Sequence, residues 1–413
     1  MDDGRFPVPI VLCYDNTVRK TLRRGADRCK NAASPKDPPA VKKGGSLMRH
    51  TAEEMLHEAL AAWSWPAPVK EADRYGNGHI NDTFCVVLEN GRRYILQRIN
   101  TGIFTDPAGL MENICGVTAF LRQKILAAGG DPARETMNVV PTAAGDTWFA
   151  DDEGGAWRVY IFVEDTICLQ EVENPADFFE SAYAFGTFQQ LLADYPAATL
   201  HEAIPKFHDT ADRYEKFEAA VAADKLGRAA EVAQEIAFVR ARREDCARMM
   251  NWLAEGRLPL RVTHNDTKLN NILMDAATRK GICIIDLDTV MPGLAANDYG
   301  DSIRFGANDC TEAEKDLSRV NFSLPLFETY TEGFLKAAGD ALTDFEKQTL
   351  PWGARLMTLE CGIRFLTDYL DGDHYFRIRY PEHNLDRCHT QFKLVADMER
   401  DWDAMNAIVA KYC

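Results

Sequence analysis

No stretch of this 413-residue chain approaches the roughly 20 consecutive apolar residues that a membrane-spanning helix requires, so no membrane partner is expected. There is no C-x-x-C pair and no cysteine/histidine cluster at zinc-ligand spacing, which argues against a structural zinc site. The 11 cysteines are odd in number and scattered from Cys13 to Cys413. Several, such as Cys85 and Cys283, sit inside apolar runs, so they read as free thiols of a reducing, cytoplasmic compartment. Positive charge is also in short supply: 47 Lys and Arg face 63 Asp and Glu, a net −16 that repels phosphate backbones and makes nucleic acid a poor partner. Internal repeats are absent. What is present is 46% apolar, 10% aromatic and 27% charged residues, enough to bury a large core in two or three units, or in one small and one large lobe.

Residues 1–47 differ from the rest, with 10 basic against 5 acidic residues and a Pro/Gly-rich end from Ser34 to Ser46. This segment lacks an amphipathic helix or a secretory apolar stretch and reads as a disordered extension ahead of Met48. Thr51 followed three residues later by Glu54 is a capping box that opens a helix. Phe84–Leu88 and Arg93–Gln97, joined through Asn90-Gly91, form a hairpin. Leu110, Ile114, Val117, Leu121 and Ile125 then recur at helical spacing after Asp106-Pro107, and a second hairpin turns at Asp151–Gly155. Beyond Glu164 the pattern is mainly helical. Asn174-Pro175 opens one helix, Val232 to Leu253 reads as another, and later ones run near 317–337, 345–369 and 386–410.

Between those helices lies a polar region, His264-Asn-Asp266-Thr-Lys268-Leu-Asn270-Asn271 before the apolar Ile272-Leu-Met, then Ile282–Ile285 before Asp286-Leu-Asp288. A two-strand hairpin would bring its carboxylates and amide to one end, where hard oxygens can hold Mg²⁺ while one carboxylate takes a proton. The pattern H-x-D-x-x-x-x-N, apolar strand, D-x-D resembles the aminoglycoside phosphotransferase and choline kinase superfamily. That resemblance implies an α+β, bilobal protein-kinase-like fold: residues 48–163 as a small antiparallel β lobe with one long helix, and residues 164–413 as a larger, mainly helical lobe. It also implies ATP and Mg²⁺ as cofactors, with Asp266 as the base and Asn271 and Asp286 as metal ligands. Asp288 either supports the metal or braces the loop, and His264 is a structural brace. Asp301, in the helix that begins near Asn297, reads as an N-cap.

Gly76, Asn77 and Gly78 stand where a kinase places its phosphate-covering glycine loop. The usual strand lysine is missing; Gln97 and Arg98 follow Tyr94-Ile-Leu, point to opposite faces of the strand, and only one can meet the nucleotide. Glu112 is either the partner of that cation or a solvated helix residue. Phe162 and Glu164 lie in the stretch that resembles the adenine-binding hinge. Finer strings, from Gly76 to Thr83, Ile95 to Asn100, Thr263 to Asn271 and Ile285 to Gly293, are similar to the N-acetylhexosamine 1-kinase group over about residues 50–400. This similarity implies a small-molecule sugar acceptor contacted by His79, Phe305, Arg364 and Tyr375. Each has a plainer reading: a loop cap for His79, an i,i+4 pair with Asp368 for Arg364, and core aromatics for Phe305 and Tyr375. Choline, homoserine, methylthioribose or aminoglycoside kinases, and a non-catalytic nucleotide-binding module, stand as alternatives. Oligomeric state is not legible.

Overall fold

The computed structural model describes residues 51–76 and 80–413. The extension expected over residues 1–47 lies outside the described residues, as do Asn77, Gly78 and His79. Helix α1 (Ala52–Ala61) starts at its capping box: Thr51 Oγ1 accepts from Glu54 N–H, and the Glu54 carboxylate accepts from Thr51 N–H. Its buried Met55 and Ala59 cover one face of an antiparallel sheet built from β1 (Val69–Arg74), β2 (Asp82–Leu88), β3 (Arg93–Ile99), β4 (Val139–Val140), β5 (Phe149–Ala150) and β6 (Ala156–Ile161). The spatial order is β1-β2-β3-β6-β4, with β5 beside β6. The Asn90-Gly91 turn forms as expected, with Gly91 at φ +82° in the left-handed region such turns require.

Strand alternation divides this sheet into two faces. Tyr94 and Leu96 join Trp157, Val159 and helix α1 on one side. Ile95 and Ile99 pack on the other against Leu110, Ile114, Val117 and Leu121 of α2 (Pro107–Ala127), the long helix capped by Asp106. That second cluster also takes in Val262, Leu287 and Val290, so the inner face of the sheet is continuous with the motif region of the other lobe.

The larger lobe contains β7 (Thr166–Ile167), α3 (Pro175–Leu191), α4 (Thr210–Ala223), β8 (Arg261–Thr263), β9 (Ile272–Asp275), β10 (Gly281–Ile284), β11 (Met291–Gly293), α5 (Ala295–Gly306), α6 (Leu324–Ala338), α7 (Leu350–Asp371), α8 (His383–Arg400) and α9 (Trp402–Tyr412). Its core joins Phe178, Phe217, Tyr299, Phe327, Phe334 and Leu359. Helices α5 and α7 cross where Gly300 meets Gly353. A Cβ on Gly300 would run into the Gly353 carbonyl, and one on Gly353 into the Ala296 carbonyl, so only glycine permits this approach. The architecture is the bilobal α+β kinase-like fold expected from the sequence.

Five helix readings need correction. The run from 345 to 369 is two helices, Asp344–Gln348 and Leu350–Asp371, parted at Thr349, and the run from 386 to 410 is likewise His383–Arg400 and Trp402–Tyr412, parted at Asp401. The periodic run from Val232 to Leu253 is broken into short helices Ala233–Arg240, Arg243–Cys246 and Arg248–Ala254. The segment read as helical from Leu317 is a short turn, Leu317–Arg319, followed by α6, which starts at Leu324 with Ser323 as its cap and Pro325 in its first turn. Asp301 is not an N-cap: it lies inside α5, whose cap position is Leu294. The nine described cysteines are free thiols.

Candidate active site

Two short ladders frame the motif. In β8–β11 Thr263 faces Met291, and in β9–β10 Ile272 faces Ile284. Loops 264–271 and 285–290 both run between these ladders and therefore lie side by side. The ladder end ties them directly, with Ile285 N–H donating to Asn271 O at 2.9 Å. His264 ties them again. Its Nδ1 accepts from Asp266 N–H at 3.3 Å, which leaves Nε2 as the protonated nitrogen, 2.9 Å from Ile285 O. His264 is fully buried and acts as the brace expected of it.

Helix α5 holds the loop from beneath. Asp298 accepts from His264 N–H (2.8 Å) and Asn265 N–H (2.7 Å), and from the Gln189 amide (2.7 Å). Asp301 accepts from Thr267 N–H at 3.0 Å and from Arg304, while Ser302 Oγ donates to Thr267 O. Asn265 adopts φ +63°, and its side chain bonds Thr263 and Thr289 across the two loops. Short polar side chains satisfy the backbone that this tight path would otherwise leave unpaired.

Asp266 is partly exposed at the loop crest. Burial alone would raise its pKa, but the Lys268 ammonium, 2.7 Å from Oδ1, with Arg304 beyond, holds it below the ordinary carboxylate value. The Asn271 amide N–H donates to Asp266 Oδ2 at 3.0 Å, leaving the amide oxygen as the available donor atom. Asp286 follows β10 in the left-handed conformation (φ +59°) and is exposed. Burial of its surroundings and the charges of Asp288 and Asp266 push its pKa up to about 6. None of the described residues hydrogen-bonds its carboxylate. An Asn oxygen and a carboxylate crowded by like charge are the hard donors that a small divalent cation accepts. No three His, Cys, Asp or Glu side chains among the described residues close into a metal cage, an arrangement compatible with a cation that also takes phosphate and water oxygens.

Of the two readings of Asp288, support of the metal or brace of the loop, its contacts fit the brace. It is buried, with Oδ1 2.6 Å from Nη1 of Arg158 and Oδ2 accepting from the Asn81 amide at 2.6 Å. Arg158 of β6 went unnoticed in the sequence. It lies opposite Gln97 in the β3–β6 register and donates to Gln97 Oε1 at 3.1 and 2.9 Å. Gln97 therefore faces the motif, whereas Arg98 points to the other side, toward Asp151 (3.9 Å) and the Trp157 ring. Glu112 is not the partner of either; it pairs with His201 at 2.8 Å on the surface. Lys268 was in view within the motif and was passed over.

At the edge of the sheet Phe162 packs edge-on to Tyr75, with ring centroids 5.8 Å apart, beneath the Arg93 guanidinium. Glu164 pairs with Arg93. Gly76 has φ +77°.

On the other side of the loop, His208 bridges two elements. Its Nδ1 is 2.8 Å from Glu360 of α7 and its Nε2 3.0 Å from Asn265 O; two acceptors require a doubly protonated ring. One turn along α7, the Arg364 guanidinium carbon lies 5.3, 5.7 and 5.5 Å from the ring centres of Phe207, Tyr375 and Phe376, with Tyr375 Oη 3.4 Å away. Arg364 does not pair with Asp368. That carboxylate accepts the backbone N–H groups of His374, Tyr375 and Phe376 and the Asn384 amide, and so shapes the loop bearing Tyr375. Tyr375 is exposed, not a core aromatic. Phe305 is half-buried against Leu169, Phe185, Leu269, Ile272 and Met274, apart from the Arg364 group. A cavity of about 570 Å³ beside Arg243, Arg248 and Trp252 shares no residue with this arrangement.

The family model for the phosphotransferase enzyme family matches residues 71–333, which span the sheet and both motif loops. Solved structures of similar fold include a microcompartment-associated aminopropanol kinase, 16% identical with a TM-score of 0.59, covering 86% of this chain and 98% of its own. An aminoglycoside phosphotransferase from Alicyclobacillus acidocaldarius is 12% identical with a TM-score of 0.55, covering 88% and 98%. The amicoumacin kinase hAmiN, in complex with AMP-PNP and Ca²⁺, is 15% identical with a TM-score of 0.52, covering 88% and 94%. With the family model spanning well over half the sequence, the chain belongs to the phosphotransferase enzyme family.

Proposed function

We propose that this small-molecule kinase transfers the ATP γ-phosphate to the anomeric hydroxyl of an N-acetylhexosamine, giving the sugar 1-phosphate. The observation that carries the acceptor class is the charge state of the ground around Arg364. Its guanidinium sits among three aromatic rings with no carboxylate in ion-pair contact among the described residues. The surrounding carboxylates are all engaged: Glu360 by His208 and Thr210, Asp301 by Arg304, Glu312 by Arg304 and Arg387, and Asp368 by backbone donors. A cationic acceptor such as choline or an amino alcohol calls for aromatic faces with free carboxylates. A guanidinium with no carboxylate partner among the described residues, set beside aromatic faces, suits hydroxyl and acetamido oxygens and the apolar side of a pyranose.

Asp266 is the base in this reading. Lys268 keeps its carboxylate ionised, so it can take the acceptor hydroxyl proton as the phosphoryl group arrives. Asn271 and Asp286 would hold a divalent cation, which when bound offsets phosphate charge; hAmiN, with AMP-PNP and Ca²⁺, supports nucleotide and divalent-ion use. Gln97, Gly76 and the Phe162–Glu164 stretch are the nucleotide-side candidates, and Arg364 and Tyr375 the acceptor-side candidates. The test is a panel of acceptors incubated with ATP and Mg²⁺, scored for ADP release and for an acid-labile product phosphate. N-acetylglucosamine or N-acetylgalactosamine should turn over; turnover of choline or homoserine alone would overturn the acceptor assignment.

A further inference from the structure

Asp288 is the meeting point of a chain of hydrogen bonds, closed by one ion pair, that crosses from the sheet to the second motif loop. Thr83 on β2, Gln97 on β3 and Arg158 on β6 stand in register across three neighbouring strands. Gln97 Nε2 donates to Thr83 Oγ1 at 3.0 Å, and Gln97 Oε1 receives two N–H donors of Arg158. This fixes the guanidinium with its third nitrogen 2.6 Å from Asp288 Oδ1. The other oxygen is held by Asn81, whose own carbonyl oxygen accepts from Asn100 N–H at 3.0 Å. Arg158 and Asp288 are 1% and 3% exposed.

Asp286 lies between two anchors. On one side Ile285 is fixed by Asn271 and His264; on the other Asp288 is fixed by Arg158 and Asn81. Among the described residues none donates to its carboxylate, so its position is set by its neighbours. We propose that Arg158, Asn81 and Asp288 form an interlobe latch that positions Asp286 against the nucleotide-facing side of the sheet, with Arg158 of β6 supplying the fixed cation that a lysine of β3 would otherwise bring. The proposal rests on the nucleotide-site reading above. In it the second acid of the D-x-D pair is a positioning residue and does not touch the metal.

The experiment measures AMP-PNP binding by calorimetry in Mg²⁺, together with KM for ATP and for the acceptor, in the wild type, Asn81→Ala, Asp288→Asn and the double variant. Each single change should weaken AMP-PNP binding about tenfold, the size of one lost coupling between contacting polar groups. The double variant should fall no more than about twofold below the weaker single, because both changes open the same latch. Acceptor KM should stay within about twofold, in line with sites that share no partner. Should Asp288→Asn prove too unstable to purify, Asn81→Ala alone decides: unchanged AMP-PNP affinity in that variant overturns the latch, as do single effects that multiply in the double variant. If the wild type itself fails to bind AMP-PNP, the nucleotide-site reading fails first, which separates the two failures.

Discussion

The loop bearing Asp266 and the helix face bearing Arg364 are built in opposite ways. Around Asp266 the backbone is fastened from below by Asp298, Asp301 and Ser302 and from the side by His264. Around Arg364 the described residues supply one long contact, to Tyr375, and otherwise ring faces. Phosphoryl transfer needs charges held at fixed positions, so the fastened side suits chemistry common to a family. The loosely bonded side leaves donors and apolar faces for an incoming molecule, which is where acceptors can differ without disturbing the transfer step.

The contrast is broken most severely at the crest. Asp266→Asn removes the proposed base and should lower kcat by about 10²–10⁴ while AMP-PNP binding persists; a near wild-type kcat would remove Asp266 from the mechanism. Beneath it, Asp298→Asn weakens charge-assisted bonds to two consecutive backbone N–H groups. A loss on the order of 1–3 kcal/mol in stability should accompany a fall in kcat, read by thermal melting and steady-state rates on one preparation.

The bridge between the two sides gives a pH-dependent prediction. Burial alone would depress His208, but Glu360 at 2.8 Å raises it above its ordinary 6.5, so the protonated ring is the bound form. Its stabilisation is complete below pH 6.5 and is lost as pH rises through the elevated folded value. His208→Gln should therefore destabilise by on the order of 3 kcal/mol at pH 6, the scale of a broken buried pair, with the gap to wild type narrowing in alkaline buffers. A gap independent of pH would mean that the ring is not charged. The smallest effect is expected from Tyr375→Phe, which deletes only a 3.4 Å contact on an exposed ring; acceptor KM should rise about threefold or less, and ATP KM should not move.

How much of this could be read beforehand depends on how local each feature is. His264, Asp266, Asn271 and Asp286 were legible because their spacing and the two short apolar runs encode one hairpin end. Helix starts with a capping side chain, at Thr51, Asp106 and Asn174, were legible for the same reason. Arg158 was not, because its role comes from strand register with Gln97 and from Asp288, 130 residues away in sequence. Which of Gln97 and Arg98 faces the motif stayed open in the sequence, because composition does not reveal which strand face turns inward. The two readings of Glu112, partner of the strand cation or solvated helix residue, could not be separated because its contact, His201, lies 89 positions away. Asp298 and Asp301 looked like a helix start because the sequence cannot show a loop resting on the middle of a helix. The run from 232 to 253 keeps its apolar period across two breaks, which periodicity alone cannot register.

The division between a fixed transfer side and an adaptable acceptor side is tested most directly by the two Michaelis constants of Arg364→Ala. The account predicts that KM for the N-acetylhexosamine rises at least tenfold, the scale of a lost charged hydrogen bond, while KM for ATP stays within about twofold. Equal increases in both constants would contradict it, making Arg364 a structural support of the whole lobe instead of part of an acceptor site.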